Sequence, residues 1–190
     1  IGYDEARTIT FYDELQRRAA ALPGVESAAI AFTTPMSYLV NGGQVYVEGQ
    51  SLPESGQPPA LFMNRVGRNY FPTVGIPIVR GRGFVETDEH YTPLTRRVAI
   101  VNELMAAKYW PGEDPIGKRF RAFDPAGPFL EVVGVARDSK YVPICEHPRP
   151  YFYLPLERAI SLRTLHVRTF GPPAALAPVQ KIVKPAADPL

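Results

Sequence analysis

Apolar residues recur at helical spacing near the start of the chain, where Phe11, Leu15, Ala19 and Leu22 share one side of a wheel and Asp13, Glu14, Arg17 and Arg18 lie elsewhere around it. This pattern predicts an amphipathic helix over residues 8–22, stopped by Pro23-Gly24 and followed by a strand of small residues over 25–32. The loop at 33–43 is irregular and carries Pro35, Met36, Tyr38 and Leu39. Alternation of Val45 and Val47 with Gln44, Tyr46 and Glu48 predicts a half-buried strand. A Pro/Gly-rich linker at 49–59 precedes another strand at 60–66.

The stretch 68–120 has the clearest punctuation. Asn69 reads as an N-cap, Pro72 as a first-turn residue and Gly75 as a left-handed stop, which together make a one-turn helix. The apolar run 98–101 reads as a strand buried on both faces, and Asn102 as the cap of a helix over 103–109 that ends at Trp110-Pro111-Gly112. Residues 86–95 are polar without a regular pattern and read as a mobile loop. Further strands are predicted at 118–123, 129–136, 151–154 and 163–169; in the last, Leu165 and Val167 are expected to face the core, and His166 and Arg168 to face out. A closing helix is predicted over 172–187, with Leu176, Val179, Ile182 and Val183 on one side. Helices flanking strands at both ends and a strand-rich middle imply an α+β domain in two lobes.

Composition narrows the function. The chain of 190 residues is 45% hydrophobic and 21% charged, ordinary values for a folded domain with a sizeable core. A net charge of +2 with scattered Lys and Arg argues against nucleic acid as a partner. No run approaches the roughly 20 apolar residues that cross a bilayer. The abrupt start, with neither an initiator Met nor a signal-peptide pattern, is expected of a piece excised from between membrane helices. The single Cys145 rules out an internal disulfide and leaves the redox compartment open.

Candidate chemistry is sparse. Neither phosphate-binding glycine motif is present, since Gly81-Arg82-Gly83 lacks a third glycine and a following helix start. His90, His147 and His166 lie far apart, and Asp88-Glu89-His90, the one ligand-like cluster, reads as a solvated loop. Ser37, Ser51, Ser55, Ser139 and Ser161 lack a nucleophile-elbow context, and Cys145 reads as a small buried hydrophobe. No catalytic, cofactor or metal residue is assigned. Three features are kept as functional candidates: an aromatic surface at 141–153 including Tyr151 and Phe152, a partner-docking loop with Met36, Tyr38 and Leu39, and a hinge where Arg80 and Arg82 pair with Glu86 or Asp88.

N-Y-F-P-T-V-G-I-P-I-V-R-G-R-G-F, V-A-I-V-N-E, Y-W-P-G-E-D-P-I-G-K-R-F and E-V-V-G-V-A-R-D follow one another in register. In this the chain resembles the MacB-type periplasmic core domain of FtsX-like ABC transporter permeases, and more narrowly the orphan permeases with duplicated membrane halves. The resemblance implies a porter-like lobe from both termini (1–83 plus 160–190) holding an inserted Sabre-like lobe (84–159). It also implies a non-catalytic domain on the periplasmic side of the bacterial inner membrane, within an integral membrane protein. Its expected role is mechanotransmission, the coupling of membrane-helix motion to a partner or substrate outside, with efflux a family-level expectation. The implied partners are the permease's transmembrane helices, a cytoplasmic ABC ATPase, a second permease half or protomer, and a periplasmic adaptor. Two other readings stay open: a periplasmic peptide- or lipid-binding module, and a hydrolase using Cys145 or a serine.

Overall fold

Helix α1 (Glu5–Ala20) lays Leu15 and Ala19 against strand β1 (Val25–Ala31), where both are buried, and its Gln16 Nε2 donates to the Ala28 carbonyl at 3.1 Å. The positive φ of Gly24 turns the chain from helix to strand. Ala28, Ala29 and Ala31 keep β1 thin, which admits α1 over one face and the short helix α2 (Tyr70–Val74) over the other. Strand β9 (Thr164–Thr169) pairs antiparallel with β1 from Val25↔Thr169 to Ala31↔Thr164. Segments near both chain ends therefore share one layer. The computed structural model describes residues 5–37, 41–53, 56–89, 97–141, 145–156 and 163–171, so the helix expected at 172–187 lies outside the described residues.

The remaining strands close a ring. Strand β2 (Asn41–Val47) changes neighbour midway: Asn41 to Gln44 pair with β3 (Ala60–Val66), and Val45 to Val47 with β6 (Arg119–Ala122). From β6 the pairing continues through β7 (Leu130–Ala136), β5 (Arg97–Asn102) and β8 (Tyr151–Pro155) back to β3. Pairs β5–β7 and β3–β8 are parallel; the others around the ring are antiparallel. Strand β4 (Ile78–Gly81) takes over from β6 along the second half of β7.

Two hydrophobic clusters follow from the alternation of side chains along these strands. One draws from all six ring strands, with Val45, Met63, Val101, Phe120, Val132 and Phe152 among its members, so it is the ring's interior. Helix α4 (Glu103–Tyr109) plugs it with Met105 and Tyr109, and Trp110 follows. The other cluster lies outside the ring, where Ile100, Val133, Tyr151 and Tyr153 meet Tyr70 and Phe71 of α2. Burying a side chain such as Phe120 or Phe152 contributes roughly 1.5–3 kcal/mol.

Two expectations need correction. Asn69 makes no side-chain cap; its carbonyl accepts from the Thr73 amide and hydroxyl instead, while Gly75 takes the left-handed stop as expected. Residues 86–89 are not patternless loop but helix α3 (Glu86–Glu89), pinned by Arg68 to Glu86 and by Arg82 to Asp88. Strands from 1–83 and from 84–159 meet at the β2–β6, β3–β8 and β4–β7 seams, so the hydrogen-bonded ladder runs across the boundary placed at residue 83. No helix among the described residues is long and apolar enough to cross a membrane.

Candidate functional site

The residues that tie segment to segment converge on two places. The first is the bracket behind α4. Asn102 closes β5, and its Oδ1 accepts from the Met105 amide at 3.0 Å and from the Tyr151 amide at 2.8 Å, while its Nδ2 donates to the Arg149 carbonyl at 2.9 Å. One side chain therefore caps α4 and fixes the entry to β8. Beside it, Glu103 accepts from the Asp138 amide at 3.1 Å and Asp138 accepts from the Leu104 amide at 3.1 Å, a reciprocal tie between the V-A-I-V-N-E and E-V-V-G-V-A-R-D motifs. Burial pushes the Asp138 carboxyl up from its ordinary range, the Leu104 bond opposes this, and the neighbouring Glu103 adds to it.

The second is the joint where β9 meets α2. Arg168 Nε donates to the Thr73 carbonyl at 2.9 Å, and its guanidinium occupies the space over Gly75, where a Cβ would come within 2.5 Å of Nη2. His166, on the same face of β9, stands edge-on to Tyr70 with ring centroids 5.5 Å apart and shares a hydrogen bond with the Thr33 backbone. Asn64 of β3 holds Thr33 from both sides, accepting from its amide at 3.2 Å and donating to its carbonyl at 2.9 Å. Burial holds the His166 imidazole below its ordinary value.

Behind the joint stands a packed group of tyrosines. Tyr141 stacks on Tyr151 at 3.6 Å, and its hydroxyl pairs with that of Tyr153 at 3.3 Å. Burial pushes the Tyr141 phenol up to about 12 and raises Tyr70, Tyr151 and Tyr153 as well. These phenols stay neutral and act as packing.

The positions expected to meet a partner fare differently. Met36 is 53% exposed at φ 61, its amide bound to the Tyr141 carbonyl at 2.8 Å; Tyr38 and Leu39 lie outside the described residues. Tyr151 and Phe152 give no surface, being 6% and 0% exposed, because β8 runs between β5 and β3 with side chains packed on both faces. Of the hinge arginines, Arg82 binds Asp88 at 2.6 and 3.2 Å as expected, whereas exposed Arg80 lines a groove with α4. Cys145 is exposed, not buried; its neighbour Glu146 is the buried residue, accepting from the Tyr141 amide. His166 and Arg168, expected to face out, instead face α2. Among the described residues no group of three or more His, Cys, Asp and Glu side chains is placed to hold a metal.

Sequence reasoning passed over Asn64, Asp138 and Glu146. A polar Asn inside the apolar run L-F-M-N-R-V was the available signal for the first, since a buried amide needs partners. Glu146 sits in a loop with no comparable cue.

The chain matches the MacB-like periplasmic core domain family over residues 2–186. It belongs to that family. Among solved structures it resembles the periplasmic region of MacB from Actinobacillus actinomycetemcomitans, at 15% identity and TM-score 0.61, over 91% of this chain and 72% of that one. The extracellular domain of the noncanonic ABC-type transporter YknZ from Gram-positive bacteria aligns at 16% identity and TM-score 0.57, covering 88% of this chain and 76% of that one. A domain of a putative permease protein from Porphyromonas gingivalis aligns at 16% identity and TM-score 0.59, covering 92% and 69%. No curated protein matches. This MacB-like domain is thus the periplasmic domain of an ABC transporter permease of the MacB/FtsX type, and Asn102, Glu103 and Asp138 of the bracket and the α2 side of the β9 joint lie in motifs that carried the resemblance.

Proposed function

We propose that the domain is a non-catalytic transmission element, moved by the permease's membrane helices and passing that motion outward. The observation that carries this reading is the way segments near the two chain ends are joined. Helix α1 is bonded to β1 through Gln16, β1 is paired with β9 along its length, and β9 is bonded through Arg168 to α2, which packs on the outer face of the ring. A displacement applied at α1 or β9 is passed to the ring through packed elements, which is what a rigid coupling requires.

On this reading the partners are the permease's own transmembrane helices, a cytoplasmic ABC ATPase, a second permease half or protomer, and a periplasmic adaptor. The duplicated orphan branch is the narrower assignment we favour, on the motifs quoted. We also place the porter-like lobe in the α1, β1 and β9 layer from both ends of the chain. The inserted lobe then corresponds to the ring. The peptide- or lipid-binding alternative draws less support, because the two grooves of about 510 and 530 Å³ are open and edged with charged residues such as Arg80, Glu103, Asp13 and Arg68.

Arg168→Ala in the intact permease with its ATPase tests the proposal. Nucleotide hydrolysis is expected to persist while transport falls several-fold, the signature of a slipped coupling. Transport at the wild-type level would overturn it, as would equal loss of both activities in a folded variant.

A further inference from the structure

The β9 joint contains a feature that rigid coupling does not need. We propose that protonation of His166 unseats strand β9 from α2, making the joint a latch that mild acidification opens. The latch stands on the geometry of the joint; only its consequence for a permease rests on the transmission reading.

His166 Nε2 is buried and has no hydrogen-bond partner among the described residues, while the ring's other bond goes to the Thr33 backbone. An aprotic nitrogen tolerates that position at modest cost, but an N–H⁺ there lacks both an acceptor and water. Among the described residues, the groups facing the ring offer no anion. From α2 comes Tyr70, its phenol kept neutral by burial, with Tyr153 of β8 behind it at 6.1 Å. From β1 comes Ala29, the residue paired opposite, and from the turn after β1 the Thr33 backbone, held by the neutral Asn64. From β9 itself comes Arg168, two positions along on the same face and already a cation. A proton on His166 therefore adds a second positive charge to a joint where, among the described residues, no carboxylate faces the ring.

The sign follows from linkage. A histidine held below its unfolded value of about 6.5 contributes stability that is fully present above that pH and is lost as pH falls through the folded value. Burial lowers His166, so the loss runs from about 6.5 downward.

The test uses the 190-residue chain. His166 ring resonances are followed by NMR from about pH 7.5 to about pH 5.5 and below, and amide protection is read along β9 at both ends of the range. The latch predicts that His166 titrates below the unfolded value of about 6.5 and that protection factors in β9 fall at least tenfold more than in β5 on acidification. His166→Gln, which keeps a side chain able to bond the Thr33 backbone, is expected to abolish the excess loss of protection. Should that variant fail to fold, the wild-type ring titration still decides. His166 titrating at or above about 6.5, or protection in β9 falling no more than in β5, or acid sensitivity undiminished in a folded His166→Gln, overturns the proposal.

Discussion

The ring and the terminal layer are neighbours in one sheet, yet different contacts hold them. The central ring strands are covered on both sides: β5 and β7 send alternate residues into the interior cluster and the outer cluster, and Val98 to Asn102 are all buried. In the terminal layer β9 is laddered to β1, yet every residue of β9 is only partly buried and its ties to α2 are single contacts such as the Arg168 bond to Thr73. The ring is over-determined, so losing one bond leaves many, whereas the hold of β9 on α2 depends on few. A part that must stay rigid and a part that must receive motion differ in this way, since locally weaker elements are the ones that move.

The largest expected effect probes the ring's tightest seam. Gly81 of β4 sits opposite Gly134 of β7, and a Cβ on Gly134 would come within 2.2 Å of the Arg82 carbonyl oxygen, a backbone atom that cannot step aside alone. Gly134→Ala is expected to destabilise the domain by roughly 3 kcal/mol in chemical denaturation. The same experiment should show the loss globally, with protection in β5 and β9 falling together. A near-neutral Gly134→Ala would mean that the seam relaxes and the ring is softer than its packing suggests.

Asn102→Ala comes next. It removes the cap of α4 and leaves the Tyr151 amide without its acceptor inside the protein, so a loss of about 2–3 kcal/mol is expected. Asn102→Asp separates the roles, because it keeps both acceptor contacts while replacing the Nδ2 donation to Arg149 with a buried carboxylate oxygen facing that carbonyl. The Asp variant should recover the α4 cap as seen by exchange of the Met105 amide. Equal damage from both substitutions would place the value of Asn102 in the Arg149 contact and not in the cap.

Strands β5 and β7 were legible in the linear pattern because burial on both faces makes a contiguous apolar run, and α4 because its cap and its stop are local. The bend of β2 was not, since a change of neighbour from β3 to β6 is decided by residues far away in the chain. The orientation of β9 was misread for a specific reason. Alternation assigns one inward and one outward face, but β9 carries α1 on one side and α2 on the other, so His166 and Arg168 meet protein where the rule places water. Tyr151 and Phe152 fail as a contact surface by the same logic, because an aromatic run serves an exposed patch and a doubly covered strand equally well.

The smallest expected effect tests whether the terminal layer depends on packing or on its outer charges. Glu14 accepts from Arg17 at 2.7 and 2.8 Å and from Arg18 at 2.6 Å on the solvent side of α1, and the Arg17 bond first, then Arg18, draws its carboxyl below the ordinary range. A lowered carboxylate contributes stability above its unfolded value of about 4.3, lost as pH falls through the folded value. That contribution is screened by solvent, and exposed pairs of this kind seldom register in unfolding measurements. Glu14→Gln should leave the denaturation midpoint of the domain within error near neutral pH, at low and high salt alike. Arg168→Ala, by contrast, should selectively raise exchange in β9. If Glu14→Gln instead loosens β9 as much as Arg168→Ala does, the layer is governed by charges on its outer surface, and the distinction drawn between a packed ring and a sparsely bonded joint no longer explains which part moves.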